Sequence, residues 1–386
     1  MRVGIISGSR ADFGLLLPVI KKLKKDKFFD EYLIATGSHF SFEHGNTYKE
    51  IEKSGLNITH KVDLEIVSNA SLDVAKSFSL AVSKFTKILE NEKFDIILVL
   101  GDRYEIFAAT IAATLTNTLV AHIHGGEVTE GSIDESFRHS ITKMSHIHLT
   151  ATEKSKERVI RMGENPSLTF NVGALGIDDI ENIPYPKNKI EEKFNIKFLP
   201  NIILVTVHPV TNQISEFLAE YRVLLDHLRL KKDTTIVFTG ANADKGGNEI
   251  NLETKRFVNS KNNAYFVPSL GRDYFLSLLP HLAVMVGNSS SGIIEAPSFK
   301  IPTINIGNRQ KGRDQSSSVI QCKFETASLI KAFDKIKNKN FIDSLQGTIN
   351  VYGAGMASDK ILNIFKELNF NKQELLSKSF FDEHDK

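Results

Sequence analysis

The chain has 386 residues, 41% of them hydrophobic, and a formal net charge of +2 with acids and bases interspersed. That is enough apolar material for about two domains of ~100–200 residues each, and without a basic stripe neither nucleic acid nor an anionic membrane is an expected partner. A single cysteine, Cys322, excludes an internal disulfide framework and reads as core filler, no Cys/His cluster has zinc spacing, and no apolar run approaches the ~20 residues of a membrane span. The opening MRVGIISGSR reads as a strand rather than a leader, so a cytoplasmic address is expected.

Short apolar runs alternate with amphipathic stretches, the pattern of parallel strands and crossover helices, and this predicts an α/β protein. In the first half strands are expected near Arg2–Ser7, Tyr32–Thr36, Ile96–Leu100, Leu119–Ile123, His148–Ala151 and Thr169–Val172. The helices between them are expected near Leu15–Lys25, Leu72–Asn91, Glu105–Leu115, Asp134–Lys143 and Glu153–Met162. A polar, proline-containing stretch, Asp178 to Lys197, precedes a restart of the pattern: Ile202–Val207, Thr235–Thr239, Tyr265–Pro268, Val284–Val286 and Thr303–Ile306, with helices such as Ser215–Leu228 and Tyr274–Leu279. The expected domains are 1–177 and 178–355, each a doubly wound parallel sheet. The segment 356–386 is expected to carry an amphipathic helix, Ala357–Leu368, that returns to the first domain, and a polar, partly frayed tail from Asn369.

The segment Gly287-Asn288-Ser289-Ser290-Ser291-Gly292-Ile293-Ile294-Glu295 follows the apolar run Leu282 to Val286 and opens a helix. Free N–H groups at a helix start, with two or three hydroxyls, hold a phosphate, and a carboxylate one to two turns along takes a ribose diol. A plain serine cap is the competing reading; the basic run Arg309-Gln310-Lys311-Gly312-Arg313 favours a nucleotide diphosphate.

Other polar residues also sit just after strands: Ser9-Arg10, Gly101-Asp102-Arg103, His122 through Glu127, His208-Pro209 and Gly240-Ala241-Asn242. Ligands of open α/β sheets bind beyond the carboxyl ends of the strands, so two such sheets facing one cleft would gather these groups. Arg10 can grip a phosphate with two prongs, or pair with Asp12. Neither a Gly-x-Gly-x-x-Gly nor a Gly-Lys-Ser/Thr loop is present, which removes support for dinucleotide redox chemistry and P-loop hydrolysis. Asp102, Glu127, Asp134 and Glu135, with His124 and His208, supply candidates for proton transfer, and which is acid and which base stays open. Strand alternation places His122 and His124 on one face, either as structural or functional groups, while Arg138 is expected to pair with a carboxylate.

Together, Ser9 through Gly14, Gly101 through Glu105, His122 through Glu127, Arg138 through Lys143, Gly287 through Glu295 and Ile306 through Arg313 resemble the hydrolysing UDP-N-acetylglucosamine 2-epimerases of bacterial sialic-acid synthesis. The resemblance spans nearly the whole chain. It implies two Rossmann-like domains of glycosyltransferase-B type, no metal or cofactor, a homo-oligomer (dimer or tetramer), and conversion of UDP-GlcNAc and water into N-acetylmannosamine and UDP. It further implies anti elimination of UDP to a 2-acetamidoglucal, then hydration with inversion at carbon 2. On the matching positions Arg10, Arg103, His208, Ser289, Ser290 and Arg309 bind UDP or assist its departure, Glu295 takes the ribose, Asn242 lines the cleft, and Asp102 and Asp134 transfer protons. Animal members of the family read His-Ile-Glu-Gly-Gly-Glu where this chain has His124, so Glu127 or His124 takes that role, and the second carboxylate is Asp134 or Glu135. The rival expectations are a hydrolysing epimerase of UDP-2,4-diacetamido-2,4,6-trideoxyglucose, a non-hydrolysing epimerase, a retaining glycosyltransferase, and a silent sugar-nucleotide sensor.

Overall fold

The computed structural model describes residues 1–41, 46–68, 70–129, 133–178, 180, 183–209, 214–241, 246–368 and 371–382. The chain forms two compact units, one of residues 1–178 with 352–386 and one of residues 179–351.

The first unit holds a seven-stranded, all-parallel sheet. Its strands are β1 (Arg2–Ser7), β2 (Asp30–Thr36), β3 (His60–Val62), β4 (Ile96–Leu100), β5 (Leu119–Ile123), β6 (Ile147–Thr150) and β7 (Thr169–Asn171), in the order β3-β2-β1-β4-β5-β6-β7. β4 and β5 are buried at every position, as expected of central strands covered on both faces. Alternation sorts their side chains into two layers: Ile96, Leu98 and Leu100 join one core, and Ile97 and Val99 the other. The first core includes Ala357, Ile361 and Phe365 of the late helix Ala357–Glu367, which lies against the helix Arg10–Lys25. Asp178, fully buried, accepts from the backbone N–H of Ala357 and of Ser358, both at 2.7 Å, and so caps that helix across the chain.

The described residues of the tail, 371–382, are tied to the first unit. Leu375 and Leu376 pack on the first core, and Lys378 reaches the buried Glu164 at 2.6 Å. The reason is electrostatic: Glu164, 1% exposed, is shared by Lys143, His148 and Lys378, and its carboxyl is held down to about 2 because their hydrogen bonds and charges outweigh burial.

The second unit holds a six-stranded parallel sheet made of β8 (Asn201–Thr206), β9 (Thr234–Thr239), β10 (Ala264–Val267), β11 (Val284–Gly287), β12 (Thr303–Ile306) and β13 (Val319–Cys322), in the order β10-β9-β8-β11-β12-β13. Ile203, Val205, Val286 and Ile304 face one apolar layer, and Ile202, Leu204 and Met285 face the other. Cys322 is buried in the first of these layers. Among the described residues no helix is long and apolar enough to cross a membrane, and no group of three or more His, Cys, Asp or Glu could hold a metal ion.

Candidate active site

In the first unit the exits of β4 and β5 and the helix Asp134–Met144 meet around one guanidinium. Arg138, 3% exposed, donates to Asp102 Oδ2, to Glu135 Oε2 at 2.9 Å, to Thr129 Oγ1 at 3.1 Å and to the Glu127 carbonyl at 3.0 Å. The pairing of Arg138 with carboxylates is therefore as the sequence predicts, and it separates two acids that the sequence left level. Glu135 is fully engaged: it also accepts from the Thr129 N–H at 2.6 Å and lies 3.2 Å from His139. Burial raises its proton affinity, but the Thr129 N–H, Arg138 and His139 outweigh that and hold it below the ordinary carboxylate range. Asp102, 25% exposed, gives one oxygen to Arg138, and among the described residues Oδ1 makes no hydrogen bond. An oriented carboxylate with an uncommitted oxygen is what a general base requires.

β5 ends at Ile123, and His124 turns at φ +65°, a conformation rare outside glycine. The alternation that would put His122 and His124 on one face stops there, and the two rings do different things. His122, fully buried, binds the Gly101 carbonyl through Nε2 at 2.7 Å. A carbonyl only accepts, so Nε2 carries the proton, and Nδ1 lies 3.2 Å from the Thr142 hydroxyl, which itself donates to the Arg138 carbonyl at 2.9 Å. Burial holds this ring neutral, with its pKa pushed down to about 3, and it fixes the β4 exit just before Asp102. His124 instead lies 3.4 Å from the buried Glu127 carboxylate.

Arg10 pairs with Glu50 at 3.0 Å, with about half of each side chain exposed, rather than with Asp12. Arg103 donates from Nε to Glu105 at 2.6 Å. The charges of Glu105, Asp12 and Asp134 all raise its proton affinity. The sequence named Asp12 only as an alternative partner of Arg10. Its Oδ2 is shielded from water without a hydrogen-bond partner, and burial, opposed by Arg103, pushes its carboxyl up to about 6.

In the second unit the exits of β8 and β11 are clipped together by Asn288, fully buried. Its Oδ1 accepts from the His208 N–H at 2.7 Å, and its Nδ2 donates to the His208 carbonyl at 2.8 Å. Its own carbonyl accepts from Arg309 at 3.1 Å and from Gln310 at 2.8 Å. The sequence pointed to this segment but not to this role, which depends on β8 lying beside β11. Gly287, at φ +134°, permits the turn: a Cβ there would stand 1.9 Å from the Thr206 carbonyl oxygen.

The helix that follows is a single turn, Ser291–Ile294, continued by the 3₁₀ turn Ala296–Phe299. Ser289 Oγ accepts from the Ser291 N–H at 3.4 Å, whereas Ser290 makes no side-chain cap bond, so the simple-cap reading does not describe it. Glu295 Oε2 is shielded without a hydrogen-bond partner, and its proton affinity is raised by burial against the opposing charges of Arg272 and Arg313. Burial and the Arg309 charge push the His208 imidazole down to about 3, so it is a neutral hydrogen-bonding group. Asn242 lies outside the described residues.

Comparison with known proteins adds an independent line. A family model described as UDP-N-acetylglucosamine 2-epimerase matches residues 21–366. The chain is 37% identical over 383 residues to a GDP/UDP-N,N'-diacetylbacillosamine 2-epimerase (hydrolyzing) of Campylobacter jejuni, covering 99% of both chains. It is 36% identical over 379 residues to the polysialic acid biosynthesis protein P7 of Escherichia coli, covering 98% of this chain and 96% of that one. Its fold is that of a UDP-GlcNAc 2-epimerase from Neisseria meningitidis solved with UDP-GlcNAc, with a TM-score of 0.74, 21% identity and coverage of 95% and 100%.

Proposed function

Since the chain belongs to the UDP-N-acetylglucosamine 2-epimerase family and matches relatives named as hydrolysing, we propose that it converts UDP-N-acetylglucosamine and water into N-acetylmannosamine and UDP. In the first step a base takes the proton on carbon 2 while the bond from carbon 1 to the diphosphate oxygen breaks, giving 2-acetamidoglucal and UDP. In the second, water supplies hydroxide to carbon 1, and a proton is delivered to carbon 2 so that its configuration is inverted. The carbon 2 proton is not acidified by a carbonyl, so loss of UDP runs ahead of proton removal, and cationic and hydroxyl donors on the diphosphate lower the barrier.

The observation that carries this reading is Asp102, oriented by the buried Arg138 and keeping Oδ1 uncommitted among the described residues. Asp102 and Asp134 are the proton-transfer carboxylates, and Glu135, spent on Arg138 and Thr129, is a scaffold. Glu127 and His124 form a second acid-base pair. Arg10, Arg103, Ser289, Ser290 and Arg309 serve the diphosphate, with neutral His208 as a hydrogen-bonding partner. Glu295, whose shielded Oε2 lacks a partner, takes the ribose diol, and Asn242 belongs to the same set.

A second reading has a specific observation behind it: the Campylobacter relative is named for a diacetylbacillosamine substrate. It differs only at carbons 4 and 6 of the sugar, with the same chemistry at carbons 1 and 2. Incubation with each UDP-sugar in heavy water, followed by NMR, tests both. Free UDP together with the carbon 2 epimer carrying deuterium is expected, and the sugar with the larger kcat/KM identifies the substrate. Unlabelled product, or no free UDP from either sugar, refutes the elimination route.

A further inference from the structure

Glu105 occupies the first turn of the helix Tyr104–Leu115 and is fully buried, an expensive place for a carboxylate that makes one hydrogen bond among the described residues. Its surroundings are built to admit it. A Cβ on Gly8, just beyond β1, would stand 2.8 Å from Glu105 Oε1. One on Gly37, just beyond β2 at φ +60°, would stand 2.7 Å from the same oxygen and 2.6 Å from the Gly8 carbonyl. Two neighbouring strand exits, those of β2 and β1, thus leave side-chain space that a carboxylate from the helix after β4 fills.

Glu105 binds Arg103 through Nε, and among the described residues neither Nη group makes a hydrogen bond. The Arg103 side chain is 46% exposed. Asp12 acts on the same guanidinium, and Asp102 and Glu105 act in turn on Asp12. With Glu105 and Asp12 both acidic, this group of side chains carries no net positive charge. Long-range attraction of an anion is therefore not what it supplies. Holding Nε of a planar guanidinium supplies orientation: the two Nη groups, with four N–H donors, lie in a set plane before a ligand arrives.

We propose that Glu105 is a positioning residue that holds Arg103 so that its Nη fork is presented ready-made to the diphosphate. This rests on the reading of Arg103 as a diphosphate ligand. Glu105→Gln keeps an acceptor for Nε, whereas Glu105→Ala opens the cradle between Gly8 and Gly37. Expected is a fall in kcat/KM of about 100-fold for Glu105→Ala, with weaker UDP binding by calorimetry, and a fall of about fivefold or less for Glu105→Gln.

Arg103→Ala should lose about 100-fold, and added guanidinium should restore about tenfold of that loss, because the cradle can seat the free cation. The double variant Arg103→Ala with Glu105→Ala should show no restoration. Equal restoration in the double variant overturns the proposal, as does a Glu105→Ala enzyme with wild-type kcat/KM and wild-type UDP affinity. Thermal melts matched between Glu105→Gln and Glu105→Ala separate positioning from folding; if the loss in Glu105→Ala tracks a lost folded fraction, the proposal also fails. An Arg103→Ala enzyme with unchanged kcat/KM removes Arg103 from the diphosphate itself, a different failure from that of its holder.

Discussion

Asp102 and Glu135 differ in what is left over once Arg138 has been satisfied. Glu135 spends its carboxylate on Arg138, Thr129 and His139, while among the described residues Asp102 spends one oxygen and keeps the other. Asp102→Asn preserves an acceptor for Arg138 and removes the base. Turnover is therefore expected to fall by roughly 10³-fold or more while UDP affinity stays within about threefold, measured by steady-state kinetics beside calorimetry; retained turnover would take Asp102 out of the mechanism. Asp12 makes a second prediction, in pH. Its folded pKa of about 6 lies above the ordinary 3.8, chiefly through burial. Between these values the folded protein binds a proton that the unfolded chain has released, so the stability contribution is complete below 3.8 and is lost as pH rises through about 6. Asn cannot ionise and escapes that loss. Urea unfolding should find Asp12→Asn more stable than the parent by roughly 1–3 kcal/mol near pH 7.5 and by about nothing near pH 4. An equal difference at both pH values would show that ionisation of Asp12 is not its cause.

Whole elements depend on single side chains in the same way. The helix Ala357–Glu367 buries Ile361 and Phe365 completely, yet two N–H groups of its first turn are satisfied by Asp178, nearly 180 positions earlier. Asp178→Ala leaves both buried donors without an acceptor and should cost roughly 1–3 kcal/mol. Proteolysis in native conditions should then cut the variant first within residues 352–386, and an unchanged cleavage pattern would contradict the capping role. In the sequence Asp178 opens what reads as linker, because a cap supplied from so far away leaves no local signature. The helix Lys187–Phe194 hides in that stretch for a related reason: it is eight residues long with Ile190 its buried contact, too short for a helical period to stand out. β3 and β13 are edge strands with an exposed polar residue in the middle, Lys61 and Gln321, so no apolar run marks them. The strongly apolar strands were legible to within a few residues, β1, β4, β5 and β12 at both ends.

At the scale of the molecule, composition and hydrophobic period determined by themselves that this is an α/β chain with two parallel sheets. Covered central strands must be apolar throughout, and crossover helices must be amphipathic, so both properties are written locally. The chain also marked the segments where chemistry is expected, since ligands of open α/β sheets bind beyond the carboxyl ends of the strands. What each polar side chain does was decided by tertiary structure alone. Residues 8, 37 and 105 meet because β2, β1 and β4 are neighbours in a sheet whose order is not the chain order. Asn288 reaches His208 because β11 lies beside β8. His122 holds a backbone carbonyl and His124 faces an acid because the strand stops between them. A hydrogen bond commits a particular oxygen or nitrogen within about 3 Å, and distances that short between remote residues are fixed by strand pairing and packing, not by spacing along the chain.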